Sequence, residues 1–207
     1  TYIGNAYRHE LIYKYYCKYG SSQALGFCCS RKHAEEMAKE FGKRGIPSAA
    51  VYSNADGEFS MDRAEAIEKL KNGEIKVIFS VDMFNEGVDI PEVDTVLFLR
   101  PTESLTIFLQ QLGRGLRLSV GKTELTVLDF VAQSNRKYDF ASRFRALMLN
   151  PEKNIVKQIK DGFTLLPSGC SIVMEKKARQ YILDNIQSAI YNKNRIIREI
   201  NSYPNIP

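Results

Sequence analysis

Apolar and polar positions alternate along this chain in two different rhythms. Ala24-Leu25-Gly26-Phe27-Cys28-Cys29 is a continuous apolar run and predicts a buried strand. Ser30 follows as a candidate N-cap, and Ala34, Met37, Ala38 and Phe41 recur at helical spacing over His33 to Phe41. Gly42 and Gly45 close that helix. Ser48 to Tyr52 predicts a second strand. Ser60 to Leu70 predicts a helix with Met61, Ala64, Ile67 and Leu70 on one face, stopped at Gly73. Lys76 to Ser80, Thr95 to Leu99 and Leu125 to Phe130 predict three more strands, with a short helix at Leu105 to Leu112 before the last. Strands that are apolar along their whole length, alternating with helices, imply an α/β fold: a parallel sheet flanked by helices on both faces.

After Asn135 the rhythm turns helical. Tyr138, Ala141, Phe144, Arg145 and Met148 mark one helix, and Pro151 punctuates it. Asp161 to Gly169 reads as a loop. A helix from about Ser171 carries Ala178, Tyr181, Ile182, Ile186 and Ala189 on one stripe, and another is expected at Tyr191 to Ile200. Tyr7 to Tyr19 is Tyr-rich and amphipathic, a helix leading into the α/β region. The expected organisation is a helical lead-in over 1–22, a lobe over 23–149 and a helical extension over 150–207 toward a downstream domain.

Composition narrows the class. The 207 residues are 44% hydrophobic and 26% charged, which suits one globular domain with chain to spare. No apolar run is long enough to span a bilayer, so no membrane partner is expected. The chain opens on Thr1 without a signal-peptide core and reads as a segment of something longer. The net charge of +5 is uneven. From Asn150 onward there are nine Lys+Arg against five Asp+Glu, leaving twenty against nineteen of the chain's 29 and 24. The body is therefore nearly neutral, and phosphate contacts there must come from a few placed groups. Cys17, Cys28, Cys29 and Cys170 show neither C-x-x-C nor zinc spacing. They read as buried, reduced thiols of a cytoplasmic protein, with no metal site. His33, without a partner in sequence, reads as structural.

Three segments carry candidate chemistry. In Gln110-Gln111-Leu112-Gly113-Arg114-Gly115-Leu116-Arg117, two arginines three apart share a helical face and suit a polyphosphate. Ser80-Val81-Asp82-Met83-Phe84-Asn85-Glu86-Gly87-Val88-Asp89-Ile90-Pro91 leaves a predicted strand at its carboxyl end, where parallel sheets place ligands. There Gly87 would let Asp89 reach a ribose hydroxyl. Gly26-Phe27-Cys28-Cys29-Ser30 joins a strand end to a helix N-terminus, a phosphate cradle in form. Each segment alone also fits a plain surface turn, loop or N-cap.

In combination, order and spacing resemble the second, C-terminal RecA-like lobe of superfamily-two helicases of DEAD/DEAH type. Gly26 to Ser30 is similar to motif IV, Ser80 to Pro91 to motif V, and Gln110 to Arg117 to the Q-x-x-G-R-x-x-R form of motif VI. Arg63 resembles the arginine that opens the preceding helix. Val81 to Pro91, Arg100-Pro101-Thr102-Glu103-Ser104 and Phe108 to Arg117 resemble the branch related to type III restriction-enzyme helicase subunits. Within it the spelling is similar to bacterial fusions of a phospholipase D-like nuclease with a helicase core, and Leu166-Pro167-Ser168-Gly169-Cys170 shares this likeness.

The resemblance implies an ATP-dependent helicase or translocase lobe that is inactive alone. It implies Arg117 as arginine finger with Arg114 beside it on the γ-phosphate, and Gly87, Asp89, Gln110 and Gly113 on the nucleotide. Ser30, Ser80, Asp82, Met83 and Asn85 would follow the nucleic-acid backbone, Ser80 standing where many relatives carry Thr. ATP would come with Mg²⁺ held by a first lobe. The implied partners are that N-terminal RecA-like lobe and nucleic acid, with double-stranded DNA ahead of RNA.

Two other readings are open. A non-catalytic nucleic-acid- or partner-binding module would use the same fold without turnover, and the basic tail suits it. A free-standing nucleotide-binding enzyme would need a complete phosphate loop. Gly115 to Thr123 comes near one, but has five residues between its glycines where a Walker A has four, and it leads into a β-branched run. No Asp-Glu-x-His or Asp-Glu-x-Asp run is present either.

Overall fold

The computed structural model describes residues 6–84, 90, 92–100, 122, 124–130, 139–168 and 170–202, with side chains between 7 and 193. By contact the chain divides into two compact units, Thr1–Ser134 and Asn135–Pro207. The division falls ahead of the composition break at Asn150.

In the first unit, α1 (Ala6–Tyr19) leads to β1 (Ala24–Phe27), α2 (Arg31–Lys43), β2 (Ser48–Val51), α3 (Arg63–Lys71), β3 (Val77–Ser80), β4 (Thr95–Phe98) and β5 (Thr126–Asp129). The strands form one sheet in the order β2-β3-β1-β4-β5, parallel throughout. β1, β3 and β4 are buried at every position, while β5 alternates half-buried with exposed. That contrast explains the sequence pattern: central parallel strands meet protein on both faces and carry no polar side.

Handedness distributes the helices. The connection from β1 to β2 runs one way along the sheet and that from β2 to β3 runs back. Right-handed crossovers therefore put α2 and α3 on opposite faces. On the α2 face, Ala34, Met37, Ala38 and Phe41 are fully buried with Ile12 of α1 and Phe79 and Leu97 of the sheet. Phe41 meets Phe79 edge-on at 5.0 Å. A fully buried phenyl ring contributes about 1.5–3 kcal/mol. Gly26 makes room here, because a Cβ on it would lie 2.7 Å from the Phe79 ring. On the opposite face Ala66 and Leu70 of α3 are buried, and Phe27 stacks on Phe98 at 5.8 Å. Helix α3 starts later than its apolar stripe suggests. Ser60 instead bridges Ala50 in parallel register, and Asp62 caps α3 by accepting from the Ala64 N–H at 2.8 Å. Ala64, expected inside, is exposed.

The amino edge of the sheet is tied down. Asp94 is 9% exposed. Its carboxylate accepts from the Ser22 N–H at 2.8 Å, the Ser22 hydroxyl at 2.6 Å and the Thr95 hydroxyl at 2.8 Å. Thr95 Oγ1 in turn accepts from the Ser21 N–H at 3.0 Å. Gln23 Nε2 donates to Leu70 O at 2.7 Å, so the same turn also holds the end of α3.

The second unit comprises α4 (Phe140–Ala146), α5 (Ile155–Asp161) and α6 (Lys176–Ser202). Phe140, Met148, Ile155, Ile159, Phe163, Ile182, Leu183 and Ile186 form its buried apolar set. Helix α5 was not legible as apolar periodicity. Its ends are nevertheless written chemically: Asn154 accepts from the Lys157 N–H at 3.1 Å, and Gly162 closes it at φ 80°. The two helices expected at Ser171 and Tyr191 are one helix, since no Gly or Pro interrupts residues 176–202. Ala189, placed on its inner stripe from sequence, is exposed. No helix among the described residues is long and apolar enough to cross a membrane.

Candidate nucleic-acid interface at the carboxyl edge

The strand register aligns Val51, Ser80, Phe27, Phe98 and Asp129 along the carboxyl edge of the sheet. One further residue on, the ladder closes with Cys28 N–H to Ser80 O at 2.8 Å, Val81 N–H to Val51 O at 3.1 Å, Leu99 N–H to Phe27 O at 3.1 Å and Phe130 N–H to Phe98 O at 3.0 Å. β1 sends its connection toward β2, on one side, and β4 sends its own toward β5, on the other. The two strands are neighbours, so a crevice opens between their carboxyl ends. Open parallel sheets bind ligands at that position.

On the β1 side, Ser30 is exposed, and its Oγ accepts from the His33 N–H at 3.2 Å, capping α2. The first turn of α2 reads Arg31-Lys32-His33 and contains no acid. Cations at the positive end of a helix are unfavourable by about 0.3–1 kcal/mol each. An anion at this end would relieve that conflict.

His33 itself is 3% exposed. Its Nδ1 lies 3.3 Å from Cys29 Sγ, and its ring stacks on His9 at 5.9 Å. Burial, then His9 and Arg8, lower its pKa to about 4. The imidazole is neutral and fills space, as its sequence context suggested.

On the β3 side the chain turns sharply. Met83 N–H donates to Val81 O at 2.8 Å, around Asp82 at φ 58°. This three-residue turn with a left-handed, non-glycine centre is rare and strained. Asp82 presents its carboxylate to solvent and to Arg100, the residue that follows Leu99 beyond β4. The Arg100 Nη1 to Asp82 Oδ1 distance is 2.7 Å. The pair spans from β3 to β4 across the end of β1.

Arg8 reinforces the same edge from α1. Its Nη2 donates to Phe130 O at 3.0 Å and Leu99 O at 3.3 Å. Burial lowers the Arg8 pKa, and the Cys29 and Asp129 charges oppose that shift. The Arg31 guanidinium lies 5.4 Å from the Tyr52 ring centre, and Arg63 lies 5.5 Å from that of Phe84. Arg8, Arg31, Arg63 and Arg100 thus each contact a residue that follows a strand of this sheet.

Of the residues singled out from sequence, Ser30, Ser80, Asp82 and Met83 are described, and all four stand on the carboxyl side of β1 and β3. Ser30 and Asp82 are exposed, and Met83 is half-buried. Ser80 has no exposed surface, and its hydroxyl meets no partner among the described residues. Asn85, Gly87, Asp89, Gln110, Gly113, Arg114 and Arg117 lie outside the described residues. Among the cysteines only Cys28 is buried; Cys17, Cys29 and Cys170 are exposed, which corrects the expectation of buried thiols. Cys17 sits on the outer side of α1, Cys29 lies past the end of β1, and Cys170 is in a loop. Burial pushes the Cys28 thiol pKa well up. Arg100 and Arg8 received no role from sequence. A lone cation directly after an apolar strand was the available signal for Arg100. Nothing in the spacing of α1 marks Arg8. Among the described residues no group of three or more His, Cys, Asp or Glu is placed to hold a metal ion.

The family model described as "Helicase conserved C-terminal domain" matches residues 7–119. The protein named "Putative ATP-dependent helicase IRC3" of Saccharomyces cerevisiae is 33% identical over 131 residues, covering 61% of this chain and 19% of that protein. UvrABC system protein B of Fusobacterium nucleatum is 28% identical over 163 residues, covering 72% of this chain and 23% of that protein. The chain therefore spans only a minor part of these relatives. Among solved structures, the C-terminal domain of the DEAD-box protein Dbp5 superposes with a TM-score of 0.53 at 15% identity, over 70% of this chain and 78% of that one. That likeness concerns the fold, a RecA-like parallel sheet with helices.

Proposed function

Because this chain belongs to the helicase conserved C-terminal domain family, we propose that it is the C-terminal RecA-like lobe of an ATP-dependent helicase or translocase acting on nucleic acid. Residues 23–149 form the lobe, 1–22 lead into it and 150–207 extend it. The nucleotide lies between this lobe and an N-terminal RecA-like lobe. That partner supplies the phosphate loop, the Mg²⁺ ligands and the water-activating carboxylate, so this chain alone does not turn ATP over. Arg117 reaches the γ-phosphate as arginine finger with Arg114 beside it. Gly87, Asp89, Gln110 and Gly113 line the nucleotide. Ser30, Asp82, Met83 and Asn85 follow the nucleic-acid backbone, and Ser80 supports that strand end from inside. Closure of the lobes on ATP and opening after hydrolysis moves the track along a strand.

The observation that carries this reading is the carboxyl edge. The Arg100–Asp82 pair spans the topological switch of a parallel sheet, beside a helix that opens with cations at its positive end. ATP use rests on the relatives' names. Double-stranded DNA is the proposed polymer, with the motif spelling pointing to the type III restriction-like branch and its phospholipase D-like nuclease fusions. A cytoplasmic location fits that branch.

The test is ATPase activity of the full-length protein with and without nucleic acid. Arg117→Ala is expected to lower turnover by about 10³-fold or more while nucleotide binding persists. Normal turnover in that variant refutes the finger. If the full-length protein binds nucleic acid without any hydrolysis, the chain is a non-catalytic binding module instead.

A further inference from the structure

Arg100 and Asp82 form an ion pair that crosses the carboxyl edge. Its two ends are unlike. The Arg100 side chain is 16% exposed and stands beyond the central strand β4, whereas the Asp82 side chain is 64% exposed. Asp82 sits at the apex of the strained turn, at φ 58°. An exposed carboxylate pair in water is worth only about 0–1 kcal/mol. The half-buried guanidinium gains far more from a partner, because its desolvation is already complete on most sides. It is also planar and forked, the shape that takes a phosphate by two parallel hydrogen bonds.

We propose that Arg100 grips a backbone phosphate of the nucleic acid and that Asp82 is its latch, holding the guanidinium aimed across the crevice until a phosphodiester displaces the carboxylate. This rests on the reading of the carboxyl edge as a nucleic-acid track. It adds a contact residue, and a competition, that the segment motifs do not contain. The ligand chemistry is a phosphate monoanion approaching from solvent over the end of β1. Ser30 and Arg31, at the start of α2, follow the carboxyl end of β1. Asp82 opposes it with one negative charge beside the track, and exposed Asp129 lies on the same edge at the end of β5. When polymer is absent, the Asp82 charge keeps Arg100 from binding stray anions. When polymer arrives, the carboxylate swings outward, where it is already mostly solvated. No bond is made or broken in the exchange.

The experiment measures binding of the full-length protein to a fluorescent DNA duplex and to a single strand across a salt series, with thermal melts of each variant. Arg100→Gln is expected to weaken polymer binding about tenfold and to lower the slope of log K against log salt by about one. ATP-analogue affinity is expected to stay unchanged, which separates a polymer phosphate from a nucleotide phosphate. Asp82→Asn is expected to tighten polymer binding about threefold, and that gain should vanish in the Arg100→Gln background. A gain of equal size in both backgrounds, or an unaltered salt slope in Arg100→Gln, overturns the latch while leaving the helicase reading in place. Loss of ATP-analogue binding in Arg100→Gln overturns it too, by moving the residue to the nucleotide. Failure of the parent protein to bind any nucleic acid removes the reading beneath it. If Arg100→Gln melts far below the parent, Asp82→Asn decides: unchanged affinity there refutes the proposal.

Discussion

The two edges of one sheet are built to opposite rules. At the amino edge, buried Asp94 gathers three short hydrogen bonds from Ser22 and Thr95, and Gln23 ties the same turn to α3. At the carboxyl edge, Asp82 is exposed and left-handed, and it pairs with Arg100. A buried carboxylate with full partners fixes a backbone, because leaving any partner unpaired is costly. An exposed carboxylate on a strained turn fixes little and can exchange. The same residue type is thus buried and multiply bonded on one side and exposed on a strained turn on the other. The difference teaches where to look for stability and where to look for ligand.

The comparison is sharpest when one edge is damaged and the other is read. Arg117→Ala, the largest effect, removes turnover by about 10³-fold or more and should leave the melting temperature of the full-length protein unchanged. Asp94→Ala is expected to do the reverse. Losing the clamp should cost about 3 kcal/mol of stability in denaturant unfolding, and nucleic-acid affinity measured where the protein is folded should hold. A large loss of affinity without a loss of stability would show that the amino edge is not merely structural.

Next in size is acid lability. The folded-state His33 pKa is lowered to about 4 from an ordinary 6.5, so between those values the unfolded chain binds the extra proton. Stability is fully present above pH 6.5 and falls as pH drops toward 4, by about 3 kcal/mol. His9, lowered by burial against the opposing pull of Glu36 and Glu40, acts in the same direction. Arg8 and Arg44 face the pair and add to the penalty for charging. Denaturant midpoints from pH 7 to 4 should show a steeper decline in the parent than in His33→Gln. Equal declines would remove His33 as the cause. Arg100→Gln, with one unit of salt slope at stake, is the smallest effect and the one confined to the carboxyl edge.

Much of the sheet was legible because its central strands are apolar at every position, a pattern only two-sided burial produces. Helix α2 was legible for the related reason that Ala34, Met37, Ala38 and Phe41 all face one sheet surface. Helix α5 was not, since its buried positions, Ile155, Gln158 and Ile159, include a polar residue that breaks the apolar stripe. The break expected at Tyr191 was an error of the opposite kind: β-branched and polar residues lower helix propensity without stopping a helix. Exposure of Cys29 was missed because the apolar run outlasts the strand by two residues. At the carboxyl edge, Ser30 and Asp82 were singled out because the segments that carry them leave a strand and resemble family motifs. The Arg100 contact was not, because its partner is 18 residues away and only the parallel register of β3, β1 and β4 brings them together.

The most direct measurement is hydrogen–deuterium exchange of the full-length protein, alone and with nucleic acid plus a non-hydrolysable ATP analogue. Protection is expected at Ser30, Arg31, Asp82 and Arg100, with Ser22, Gln23 and Asp94 unchanged. Protection confined to the amino edge, or none at the carboxyl edge, would contradict the account.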